Sequence, residues 1–255
     1  MKKTLSQLIF LMIAVVTISS LNAQSSLGVK NIVIVHGAFA DASTWESVYK
    51  ILKADGYNVS LVQNPLTSLE DDVAATNRIL DKQDGPVVLV GHSWGGTVIT
   101  QAGISPKVAS LVYVAAFVPQ LGETTFALAT SVPPAPENGI LPPDDKGFIY
   151  YDKAKFHKGF AAEQTNEMAD FMCASQMAIA AKAFITPISQ AAWKTKPSYA
   201  IVATDDKSIA PDLERTMYKR AGATVTELQG SHTLFIPKAR EVANVIEAAA
   251  KSATK

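Results

Sequence analysis

Cysteine is nearly absent from these 255 residues: Cys173 stands alone, so no internal disulfide can form. Histidine is scarce too, four in all, and these residues are scattered without the close spacing of a zinc site. Neither sign of charge dominates. Lysine plus arginine equals aspartate plus glutamate at 23 each, so the basic surplus that a nucleic-acid binder gathers on one face is missing. The apolar run near the N-terminus, Leu8 to Ile18, is 11 residues long, against the roughly 20 that a bilayer-spanning helix needs. Disulfide scaffold, metal centre, nucleic-acid partner and membrane span are all poor expectations for the mature chain. What is present is a 48% hydrophobic composition, that of a globular core, in a length suited to one large domain or two small ones.

Lys2 and Lys3 precede the short apolar run, and Ser19-Ser20-Leu21-Asn22-Ala23 follow it. That is the layout of a secretory signal peptide, residues 1–23, with cleavage expected after Ala23. The mature chain, residues 24–255, would then have 232 residues and a formal charge of −2 once both lysines are lost. It is expected in the periplasm or outside the cell. No cysteine lies near the cut, which excludes lipid attachment there.

Beyond the leader, apolar runs alternate with segments of helical spacing. Asn31 to Val35, Val59 to Val62, Val87 to Val90, Val108 to Val114, Tyr199 to Ala203 and Val225 to Leu228 read as six strands, several of them nearly all apolar. Such runs predict strands buried on both faces of a parallel sheet. Between them, Trp45 to Leu52, Leu69 to Leu80, a stretch from about Gly95, and Pro211 to Ala221 carry helical spacing, and Pro237 to Ala250 finishes the chain. Strands joined by helical crossovers make an α/β protein with helices on both faces. One segment breaks the rhythm. From about 119 to 197 the chain holds Pro133, Pro134, Pro136, Pro142 and Pro143 and then an alanine- and methionine-rich helical stretch, with Phe148 to Tyr151 as its strand signal. Lacking a strand set of its own, it reads as a helical cap inserted in a single domain. Its eight aromatic residues from Phe126 to Phe184 either pack the cap onto the body or line an apolar pocket.

Gly91-His92-Ser93-Trp94-Gly95 fits the G-x-S-x-G elbow and sits between a buried strand and a helix, as the elbow must. The turn is too sharp for side chains nearby, which explains the flanking glycines, and it lifts the serine oxygen above the sheet. A serine hydroxyl needs a base to take its proton. His36 and His92 precede Ser93 and His157 lies in the insertion, which leaves His232, in the loop after the last strand. An acid is expected just past a strand end. Thr204-Asp205-Asp206-Lys207 offers two carboxylates there, one of them free to cap the turn. After the first strand, His36-Gly37-Ala38 places the backbone N–H of Ala38 where, with that of Trp94, it can receive an oxyanion.

These residues together resemble the α/β-hydrolase family over nearly all of the mature chain. More narrowly, His36-Gly37-Ala38 with Trp45, Gly91-His92-Ser93 with Gly95-Gly96, Thr204-Asp205-Asp206-Lys207 and His232 look like the small plant esterases and hydroxynitrile lyases and their bacterial relatives. The resemblance implies a minimal six-stranded form of the fold, Asp206 as the acid, a helical cap over the serine, and no cofactor. The lyases of that group have a threonine where this chain has Gly37 and a lysine where it has Thr233, and dehalogenases and epoxide hydrolases place aspartate at the nucleophile. Ser93, Gly37 and Thr233 therefore point to a serine hydrolase of small carboxylic esters. A lactonase or thioesterase uses the same machinery, and a ligand-binding receptor on the same fold would turn over slowly or once.

Overall fold

The computed structural model describes residues 28–253, so the expected signal peptide lies outside the described residues. Among them are eight strands: β1 (Asn31–Val35), β2 (Asn58–Val62), β3 (Val87–Ser93), β4 (Val108–Ala116), β5 (Phe148–Ile149), β6 (Ile179–Ala180), β7 (Ser198–Ala203) and β8 (Thr224–Leu228). Six of them form one parallel sheet in the order β2-β1-β3-β4-β7-β8. The helices are α1 (Glu46–Ala54), α2 (Leu69–Asp81), α3 (Trp94–Ala102), α4 (Thr125–Ala129), α5 (Lys153–Phe160), α6 (Asn166–Ala174), α7 (Ala181–Ile185), α8 (Pro211–Arg220) and α9 (Ala239–Ser252).

Alternate side chains of the central strands serve two cores. Ile32, Ile34, Val88, Val90, Val112, Val114 and Ile201 pack under α1 and α9, whereas Val33, Val35, Val87, Leu89, Leu111 and Tyr113 pack under α2, α3 and α8. A strand covered on both faces has no polar face to show, which is why β1 and most of β3 read as unbroken apolar runs. Helix α2 starts at Ser68, whose Oγ accepts the Asp71 N–H at 3.0 Å, and its first turn is acidic as the helix dipole favours.

The chain runs from β1 outward to β2, then returns across β1 to build β3 and β4 on the other side. The order therefore reverses between β1 and β3, and the crevice beyond the carboxyl ends of those two strands is where open α/β sheets bind ligands. Four residues other than glycine take positive φ at or just beyond such strand ends: Phe39 at 62°, Leu66 at 59°, Ser93 at 51° and Ala115 at 43°. Backbone in this region is costly for a residue with a Cβ and persists only where surrounding structure enforces it.

The structure moves some boundaries. Trp45 lies in a 3-10 turn, Ala42–Trp45, ahead of α1, because the Asp41 carboxylate accepts the Ser43 N–H at 2.7 Å and caps that turn first. Strand β3 continues to Ser93, since His92 and Ser93 still pair with Val114 and Ala116 of β4. Helix α9 starts at Ala239 rather than Pro237, after a run of turns carrying His232. Residues 117–197 hold four short helices, α4 to α7, and also a small antiparallel ribbon: Phe148–Ile149 pairs with Ile179–Ala180, and Tyr151 bridges Ile140. Two-residue strands carry no alternation to read, so the β6 partner had no sequence signal.

Candidate active site

Ser93 ends β3 and precedes α3 with φ 51° and ψ −120°. The turn works only without side chains around it. A Cβ on Gly91 would lie 2.5 Å from the Gly95 carbonyl oxygen, and one on Gly95 would lie 2.4 Å from the Val35 oxygen at the end of β1. The elbow thus closes onto the neighbouring strand as well as onto itself. Ser93 is 8% exposed, at the N-terminus of a helix whose dipole favours negative charge.

His232 and Asp206 arrive on separate loops. His232 lies between β8 and α9, Asp206 just past β7, and the imidazole Nδ1–H donates to Asp206 Oδ2 at 2.6 Å with both side chains buried. The other Asp206 oxygen accepts the N–H groups of Ser208 at 2.7 Å and Ile209 at 3.0 Å. Asp205, its neighbour, is exposed and reaches the rest of the fold through its own N–H, which donates to the Gly230 carbonyl. Of the two carboxylates, the structure brings Asp206 to the histidine. Among the described residues no hydrogen bond joins the Ser93 hydroxyl to His232. His92, beside the serine, donates its Nε2–H to the His232 carbonyl at 3.0 Å, and the two rings lie 4.6 Å apart. Burial, with His232 close by, holds the His92 imidazole well below its usual range, so it is neutral.

The turn after β1 is built by His36. Its Nδ1–H donates to the Gly37 carbonyl at 2.7 Å, its Nε2 accepts the Asn64 N–H at 2.9 Å, and the Asn64 amide donates to the His36 carbonyl at 2.8 Å. Burial lowers the His36 pKa, which suits this neutral tautomer. The effect is to fix the Gly37-Ala38 segment, with Ala38 buried, against Ser93: a Cβ at position 37 would come within 2.7 Å of the serine Cβ.

Residues 32–245 match the family model described as "Alpha/beta hydrolase family". The chain belongs to the alpha/beta hydrolase family. A carbendazim hydrolyzing esterase of Nocardioides sp. (strain SG-4G) is 32% identical over 112 residues, covering 38% of this chain and 46% of that relative, so the match spans less than half of its length. Among solved structures, a pyrethroid hydrolase from Sphingobium faniae JZ-2 superposes with TM-score 0.75 at 22% identity over 88% of this chain and 98% of its own. Polyneuridine aldehyde esterase follows the same fold with TM-score 0.71 at 16% identity over 86% and 98%. A methylesterase from Arabidopsis does so with TM-score 0.70 at 19% identity over 87% and 98%.

In this alpha/beta hydrolase the cap segment holds an apolar cavity of ≈ 720 Å³, lined by Phe117, Phe126, Ile140, Ile149, Phe184 and Ile185 among others. Phe117, whose N–H donates to the Ser93 carbonyl at 3.2 Å, connects it to the elbow. Of the eight cap aromatics, Phe126 and Phe184 thus face the cavity, while Tyr151, Phe156 and Phe160 pack one another as a buried cluster. Tyr150 and Phe171 are exposed.

Two buried acids near the site carried no distinctive signal in the sequence. Glu214, on α8, accepts the Ala203 N–H at 3.1 Å, and burial together with the Asp206 charge pushes its carboxyl well above the usual carboxylate range. Asp72, on α2, accepts the Leu66 N–H at 2.8 Å and the indole N–H of Trp94 at 2.7 Å. It pins the side chain whose own backbone N–H opens α3. Asp72 reads as one of three acids in a helix start, yet Leu69, Asp72, Ala75 and Thr76 share the buried face. Helical spacing was the available clue.

Burial raises the Asp72 pKa from 3.8 to about 6. Between those values the native state holds a proton that the unfolded chain has released, so stability falls as pH rises. The shift, about 2 units, corresponds to about 3 kcal/mol lost between pH 4 and 7 through this one group. Asp72→Asn should lack that slope. In urea unfolding across this range, the stability advantage of the wild type over the variant should shrink as pH increases; a constant difference would contradict the assignment.

Proposed function

We propose that this protein is a serine hydrolase acting on carboxylic esters through an acyl-enzyme. The observation that carries the reading is the buried 2.6 Å contact between His232 Nδ1 and Asp206 Oδ2, set beside an elbow serine with φ 51°. Asp206 keeps the proton on Nδ1, which leaves Nε2 to accept the proton of the Ser93 hydroxyl. Ser93 Oγ attacks the ester carbonyl, the N–H groups of Ala38 and Trp94 receive the oxyanion, and His232 returns the proton to the departing alcohol. Water then takes the alcohol's place and releases the acid with the same base. Nothing in this scheme calls on a metal or organic cofactor.

The ≈ 720 Å³ apolar cavity of the cap segment favours esters with a bulky apolar group over the smallest ones. The partly matching relative is named an esterase, in keeping with the ester-hydrolase reading. Cyanohydrin cleavage fits poorly, because a side chain at position 37 would collide with Ser93, leaving no room for the threonine found in the lyases that the sequence resembles.

A fluorophosphonate probe should label the protein once, and Ser93→Ala should abolish both labelling and turnover of a p-nitrophenyl ester; labelling that survives the change would refute the nucleophile. Asp206→Asn keeps the shape but favours the wrong imidazole tautomer, and kcat should fall by up to about 10⁴, the loss in the serine-protease precedent. Asp205→Asn, at an exposed position, should cost less than about tenfold. The reverse ranking, with circular dichroism unchanged, would overturn the acid assignment. The proposal extends to an exported enzyme: protein from the native host should begin near Gln24 in a soluble non-cytoplasmic fraction, and intact Met1 in the cytoplasm would contradict it.

A further inference from the structure

The loop that carries His232 is held from the body of the fold and from the cap. On the body side Asp206 accepts the imidazole N–H, His92 donates to the His232 carbonyl, and the Asp205 N–H donates to the Gly230 carbonyl. A further hold comes from the cap. Glu163, in the turn between α5 and α6, accepts the Ser231 backbone N–H with one carboxylate oxygen and the Ser231 hydroxyl with the other. Both bonds are charge-assisted, and together they fix Ser231 in direction as well as position. Ser231 directly precedes His232, and each is 1% exposed.

Several further features mark this contact as built. Gly230 clears the approach, since a Cβ there would lie 3.2 Å from Glu163 Oε1 and 2.8 Å from the Leu234 side chain. The turn bearing Glu163 is itself braced: His157 donates its Nε2–H to the Gln164 carbonyl at 2.8 Å, and the Gln164 N–H donates to the Ala161 carbonyl at 3.0 Å. The same part of the cap presents Phe160, whose ring centre lies 5.1 Å from that of His232. Among the described residues Glu163, itself at an exposed position, makes no salt bridge with lysine or arginine, and each of its carboxylate oxygens accepts from Ser231. The acid loop is tied to the cap as well, through Ser208 Oγ–H donating to the Gly159 carbonyl at 2.9 Å and Asn138 donating to the Ser208 carbonyl at 3.1 Å.

We propose that Glu163 is a positioning residue for His232: its carboxylate holds the histidine loop at Ser231 and so makes placement of the base depend on seating of the cap. The inference rests on the serine-hydrolase reading above. If the cap is unseated, the carboxylate and Phe160 leave together, and the loop keeps only its body-side holds. A displacement of about 1 Å at a catalytic group is enough to cost about 100-fold in rate, so losing the anchor next to His232 should show in kcat before it shows in folding.

The test compares Glu163→Ala, Glu163→Gln, Ser231→Ala and the double alanine variant on one p-nitrophenyl ester, with melting temperature and near-ultraviolet circular dichroism recorded for each. Glu163→Ala should lower kcat and the fluorophosphonate labelling rate about 10- to 100-fold with little change in KM. Glu163→Gln should recover most of the loss, because its amide oxygen accepts the Ser231 N–H while its amide N–H donates to the Ser231 oxygen. The double variant should be no worse than the more impaired single one, as expected for two ends of one contact. The low-field proton resonance of the His232–Asp206 hydrogen bond should weaken or broaden in Glu163→Ala while the fold is retained. Wild-type kcat in Glu163→Ala, or additive losses in the double variant, would overturn the proposal. A loss of kcat that follows only the fall in melting temperature, with the proton resonance unchanged, would reduce Glu163 to a stabiliser of the cap and overturn it equally. If Ser93→Ala still turns the ester over, the hydrolase reading fails instead, and the two failures are told apart.

Discussion

Helix α3 lies against the sheet closely enough to aim a serine only because backbone meets backbone there. Gly95 faces the last carbonyl of β1, and a Cβ on Gly96 would lie 2.3 Å from the carbonyl of Phe117, just past β4. These approaches bring the turn after β1, the elbow after β3 and the exit of β4 within contact of one another. The loops carrying Asp206 and His232 then have only to reach over an edge already assembled. A methyl group at either glycine would push α3 away from its neighbours and forfeit that assembly, whatever else in the molecule stayed the same.

The charges around this edge follow from its dryness. His36 and His92 are buried and neutral, and each spends its ring N–H on a backbone carbonyl. Glu214 lies buried beside Asp206, and that burial together with the neighbouring carboxylate pushes its carboxyl well above the usual carboxylate range. Asp72 is buried and accepts the Trp94 indole N–H. Each of these groups has at least one hydrogen-bond partner, as buried polar groups require, although His92 Nδ1 and Glu214 Oε1 have none among the described residues.

How much of this the sequence revealed follows from the range of each interaction. The four central strands were legible because burial on both faces leaves mostly apolar residues, while β2 and β8, at the sheet edges and largely unburied, showed through shorter runs. Ser93 was legible because the elbow confines its requirements to five consecutive positions. His232 followed from chain order. Choosing Asp206 over Asp205 needed the family resemblance, since two adjacent carboxylates after a strand look alike until a register is known; the structure turns Asp206 inward to the imidazole and leaves Asp205 in solvent. What stayed hidden were contacts across long separations. Asp72 meets Trp94 from 22 residues away and Glu163 meets Ser231 from 68, and neither acid stands out among its charged neighbours. The β6 strand was too short to show a period, and its place is fixed by Leu66, far earlier in the chain.

That last contact bears on how cap and body are joined. Phe39 and Leu66, two of the residues with positive φ, are also where the cap is stitched to the body: the Phe39 N–H donates to the Met177 carbonyl and the Leu66 carbonyl accepts the Ala180 N–H. Each side depends on the other, because the cap segment gains its hydrogen bonds from a backbone shape that the body would relax without it. Cap and body are accordingly joined backbone to backbone at two separate points, both at residues held in a costly conformation. An insertion that looks modular in the sequence is, in the folded chain, laced into the turns that follow β1 and β2.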